Sequence, residues 1–154
     1  MCDQFDKLSL IVDFPNLLQA KFEITSPKTK FYNCVAWAAG EDDRFWWPDK
    51  MNQAYWPKGV LRQVTLPAFI SAFQTLGYNC CGNNSELEDG FEKIAIFLAH
   101  NGKPTHVARQ LADGKWTSKL GANYDISHEL EALAEEHGSY GLVGQIMRRA
   151  LQKN

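Results

Sequence analysis

The clearest hydrophobic period in the chain lies in "TLPAFISAFQTLG", residues 65–77, where Leu66, Phe69, Ile70, Phe73 and Leu76 fall on one face of a helix. Thr65 can cap that helix, Pro67 suits its first turn and Gly77 ends it. A shorter run, "CVAWAA" at 34–39, is apolar on nearly every side and stops at Gly40, which predicts a short buried helix opening at Cys34. "KFEIT" alternates as strands do, "FPNLLQA" suits a short helix, "YNCC" a short strand, and "FEKIAIFLA" is apolar enough for a buried strand. "THVARQL" and "KWTSKLG" flank the turn "ADG", a hairpin signal. If that turn pairs Leu111 with Lys115, His106 lies opposite Leu120, and Trp116, Ser118 and Leu120 share its face. "DISHELEALAEEHG" reads as a second marked helix, capped by Asp125 or Ser127. "LVGQIMRRAL" also has helical spacing, against which Gly144 counts.

Residues 41–64 carry no period and repeat an aromatic–proline piece, "RFWWP" then "AYWP". Trp47 and Trp56 each precede a proline, which pushes them toward extended backbone, so this is a tryptophan-rich loop region. The order is a cysteine-bearing helix, aromatic loops, a helix, a three-strand antiparallel meander and a helix. That order predicts an α+β fold in a single domain over 1–154, with 1–28 as an N-terminal lead segment.

Composition narrows the function classes. Hydrophobic residues at 45% and charged residues at 22% exclude a disordered or collagen-like chain and a bundle of membrane spans. A net charge of −2 offers no general attraction to a phosphate backbone or an anionic membrane, so neither nucleic acid nor membrane is expected as a partner. The start "MCDQFDKLSLIVDF" is acidic where a secretory leader is basic, which points to the cytoplasm and to reduced thiols at Cys2, Cys34, Cys80 and Cys81. No metal-type cysteine spacing and no phosphate or dinucleotide loop occurs, so no metal or other cofactor is expected.

Chemistry concentrates on Cys34. A cysteine in an apolar helix is most often a packing residue, yet in the first turn it meets unpaired N–H groups that favour thiolate. Of four histidines, His100 sits in a turn, while His128 and His137 fall in the first and last turns of the helix expected after residue 124. His106 opens a strand, where its ring can project over a sheet edge toward a helix end, which makes it the candidate base. Ser118, diagonal to it, can orient the ring; Asp125 is the alternative third residue, and Asn123 also lies near. Trp46, Trp47 and Trp56, with Asn33, are candidates for lining a substrate cleft.

Together "YNCVAWAAG", "WWP", "YWP", "GFEKIAIF", "THVARQL", "GKWTSKLG" and "DISHELEAL" closely resemble an uncharacterised bacterial family of small proteins, from about Phe31 to the C-terminal segment. That family looks like the papain-like thiol hydrolases, especially the NlpC-type amidases. The resemblance implies a papain-like fold, a helix bearing the cysteine packed on an antiparallel sheet, with Cys34 as nucleophile, His106 as base and the third position at or near Ser118. The chain departs from the NlpC pattern in carrying Asn33 where an aspartate usually precedes the cysteine, and a serine where histidine, asparagine or an acid is usual. The expected function is a thiol-dependent hydrolase or acyl transferase acting on a peptide, amide or other acyl substrate. The alternatives are a tryptophan-rich module binding peptide or glycan, and a catalytically silent papain-like interaction protein.

Overall fold

A computed structural model describes residues 4–151; Cys2 lies outside the described residues. Its main feature is a seven-stranded antiparallel sheet among those residues. The strands are β1 (Glu23–Ser26), β2 (Asn79–Cys80), β3 (Phe91–Leu98), β4 (Pro104–Gln110), β5 (Trp116–Lys119), β6 (Asp125–His128) and β7 (Leu142–Ala150), in the order β1-β6-β5-β4-β3-β7-β2. The α-helices are short: α1 (Gln4–Asp13), α2 (Cys34–Ala38) and α3 (Leu66–Gln74). The papain-like, NlpC-like arrangement of a cysteine helix on a small sheet is therefore corrected, because sheet dominates and two of the expected helices are strands.

Both corrections have a physical cause. In "DISH" the residues Ile126 and His128 alternate with Asp125 and Ser127, and pairing with β5 on one side and β1 on the other satisfies the backbone of this strand. The leucines that suggested a helix, Leu130 and Leu133, sit in a single 3-10 turn, Leu130–Leu133. "LVGQIMRRA" pairs along nearly its whole length with β3, and Gly144 is the extra residue of a bulge between the pairs Ile96↔Gln145 and Phe97↔Val143. A Cβ at Gly144 would stand 2.3 Å from the Leu98 side chain. The glycine that argues against a helix thus marks a bulged strand.

The sheet separates two cores by its two-residue alternation. One face carries Ile94, Ile96 and Val107 beneath α2, α3 and the aromatic loops. The other carries Ala95, Phe97, Ala108, Trp116, Ile126 and Ile146 against Leu10, Phe14 and Leu133. The Leu111 N–H meets the Lys115 carbonyl at 2.7 Å, and Arg109 pairs with Thr117, the register that the "ADG" turn implies. Thr65 caps α3 as expected, accepting from the Ala68 N–H.

Candidate functional site

α2 begins where Asn33 caps it. The Asn33 Oδ1 accepts from the Ala36 N–H at 3.1 Å and from the Trp46 N–H at 3.1 Å, while its Nδ2 donates to the Trp46 carbonyl at 2.7 Å. One side chain therefore starts the helix and ties down the tryptophan loop. Both polar side-chain atoms of Asn33 are engaged in that clamp, so its part in the cleft is to shape the wall.

Cys34 follows, buried to 8% exposure. The register of β4 and β5 explains what surrounds it. Paired residues run only from Gln110↔Trp116 to Arg109↔Thr117, and beyond them the two strands part. Since the Leu111 N–H points at β5, alternation aims the Val107 N–H the same way, into the fork. Together with the N–H groups of Val35 and Cys34 it favours the thiolate of Cys34. α2 packs against both strands, so its thiol occupies the fork between them.

These donors and nearby Lys119 favour the thiolate, but burial outweighs them and pushes the Cys34 thiol up to about 11. The expectation that the helix start would lower it is reversed. Lys119, itself buried, donates to the carbonyls of Thr29, Gly121 and Asn123 at 2.8, 2.9 and 2.5 Å, and burial lowers its pKa. It fastens the loop after β5 to the segment before α2. Asn123 thus contributes its backbone carbonyl to this tie.

His106 leaves β4 on the face away from α2, with Phe97 and Ala108, rather than toward the helix end. Its ring stacks flat on Tyr140, centroids 4.0 Å apart at 7°. Burial pushes the Tyr140 phenol up, and the charge of a Cys34 thiolate would push it the same way. No hydrogen bond joins Cys34 to His106; the Nδ1 of His106 is buried with no partner. Its Nε2 meets the Ser118 Oγ at 2.9 Å, and that oxygen meets the Nε2 of His128 at 2.7 Å. Desolvation drives His106 well below the ordinary histidine range and His128 to about 4, so both rings are neutral at pH 7.

Asp125 lies on the other face. Its Oδ2 accepts from the Tyr32 hydroxyl at 2.5 Å, and it does not touch His106. Burial and this contact raise the Tyr32 pKa. Of the two candidates for third residue, Ser118 is the one beside the imidazole. The tryptophans divide as well. Trp46 and Trp56 are core, packed at a tilt against Phe73 and Phe69 and donating to Glu41 and the Leu61 carbonyl, so they are buried rather than lining a cleft. Trp47 is half-buried and, with Asn33, Phe45, Asp49, Gln53 and Ala54, lines an open groove of about 620 Å³.

His128 and Tyr140 are the residues that sequence reading missed. Treating "DISH" as helix hid the alternation that puts His128 on the face of Ile126; nothing local marks Tyr140, which reaches His106 across the sheet. Among the described residues no cluster of three His, Cys, Asp or Glu could hold a metal, and no helix is long and apolar enough to cross a membrane.

The class these features define is a sheet-based domain with a buried thiol at the fork between β4 and β5 and a buried imidazole chain on the face away from α2. Residues 23–148 match the family described as Domain of unknown function (DUF7689), and the chain belongs to that family. No curated protein and no solved structure matches it significantly.

Proposed function

We propose that this protein is a thiol-dependent hydrolase or acyl transferase acting on an amide or related acyl bond. The observation that carries the reading is the fork: strands β4 and β5 part where Cys34 enters against the Val107 backbone, and the adjoining residue His106 has a buried Nδ1 with no partner. A buried imidazole with one nitrogen held and the other open is arranged to take a proton. With thiol and imidazole both neutral, Cys34 attacks as His106 Nδ1 removes its proton, the carbonyl carbon and sulfur bond forms, and collapse returns that proton to the departing amine, alcohol or thiol. Water, or an acceptor nucleophile in transfer, then gives its proton to Nδ1 and releases the acyl group from sulfur. Ser118 holds the ring, and the groove beside Asn33 and Trp47 takes the substrate. The cytoplasmic setting belongs to the same proposal and rests on the free thiols Cys34, Cys80 and Cys81.

The test is acyl transfer from p-nitrophenyl acetate, with the acylated residue mapped by mass spectrometry. An adduct on Cys34 is expected, lost in Cys34→Ala and His106→Ala and kept in Asp125→Asn. Acylation confined to Cys80 and Cys81, or undiminished in His106→Ala, would overturn the reading. A peptide- or glycan-binding module using the Phe45–Trp47 groove is the second reading; it predicts ligand binding that Cys34→Ala leaves intact, with no adduct in the unaltered protein.

A further inference from the structure

The buried chain that ends at His106 has a direction, and the direction follows from its far end. The Nδ1 of His128 lies 2.6 Å from the Glu129 carbonyl oxygen, which can only accept, so Nδ1 carries the proton. In a neutral ring the Nε2 of His128 is then a bare acceptor, and the Ser118 hydroxyl, 2.7 Å away, must donate to it. With its single hydrogen used, Ser118 can only accept from His106, whose Nε2 stands 2.9 Å off and must hold the proton of that ring. The Nδ1 of His106 is left as a lone pair, the atom that has no partner.

We infer that His128, acting through Ser118, is a positioning residue that locks His106 in the tautomer whose Nδ1 is a base. The three side chains stand on β4, β5 and β6, one diagonal step apart on a single face, so sheet register holds them in line. Full burial of both rings keeps them neutral, which the chain requires. Without the Glu129 carbonyl at its end, the serine hydrogen could point either way and both tautomers of His106 would be populated. The inference rests on the proposed thiol chemistry for its use, but not for its geometry.

Nitrogen-15 NMR of histidine-labelled protein reads the tautomers directly. The unaltered protein should show His106 protonated at Nε2 and His128 at Nδ1. His128→Phe removes the acceptor and should move His106 toward Nδ1–H, slowing acylation of Cys34 by about 100-fold, the lower end of what a general base contributes. His128→Gln, whose carbonyl can accept from Ser118, should restore part of both. His106 protonated at Nδ1 in the unaltered protein, or unmoved in a folded His128→Phe variant, would overturn the inference; if that variant does not fold, the first measurement decides. The expected tautomers without any Cys34 adduct would sink the hydrolase reading and leave the relay standing. An adduct with His106 protonated at Nδ1 would do the reverse.

Discussion

At the scale of single residues the opposition that matters is between donation and desolvation at Cys34. Neighbouring backbone N–H groups favour its thiolate, yet burial outweighs them and pushes the thiol up to about 11. A resting thiolate is therefore absent at neutral pH, and reactivity toward a simple alkylating agent tracks the small deprotonated fraction. The iodoacetamide rate at Cys34 should rise about tenfold per pH unit from 7 to 10. Exposed Cys80 should be modified first. A plateau in the Cys34 rate below pH 8, read by peptide mass spectrometry, would contradict the burial argument.

At the scale of elements, short pieces are held by side chains that serve two of them. Five residues are too few for α2 to be stable alone, so its cap and its packing carry it. Asn33→Ala should lose the cap and leave the Trp46 backbone unpaired, costing about 1–3 kcal/mol in urea denaturation. The start of β7 depends on Gly141, where φ is +76° and a Cβ would stand 2.0 Å from the Leu98 carbonyl oxygen. Gly141→Ala should lower the melting temperature far more than Gly121→Ala, which shares a positive φ but opens onto free space and costs about 1–2 kcal/mol. Equal losses in the two variants would mean that the contact with Leu98 is dispensable.

Across the whole molecule, the polar chain is a pH liability placed inside the second core. The folded pKa of His128, about 4, lies below the unfolded value near 6.5. The unfolded chain therefore binds the extra proton between those values, so stability is complete above about pH 6.5 and falls as pH drops toward 4. The His128 contribution to that fall is about 3 kcal/mol, and His106, shifted in the same direction, adds to it. Urea midpoints at pH 7, 6, 5 and 4.5 should descend steeply, and less steeply in His128→Phe.

Local pattern alone determined a good deal. Capping and period marked α3, composition and Gly40 marked α2, and the length of "ADG" set the β4–β5 register that brings Ser118 to His106, because these depend on interactions a few residues long. The strands β6 and β7 were not legible, since Leu130 and Leu133, which lie in the 3-10 turn after β6, carry a helical spacing, and Ile146 and Met147 suit one helix face as readily as the two faces of a strand, so that only a partner strand breaks the tie. The burial of Trp46 and Trp56, the placement of Asp125 on the face away from His106, and the joining of His128 to the relay belong to the same group. These were decided by which distant element lay alongside, α3 for the tryptophans and a partner strand for Asp125 and His128, a choice made by long-range packing and pairing and by the exclusion of water from two cores rather than by any neighbouring residue.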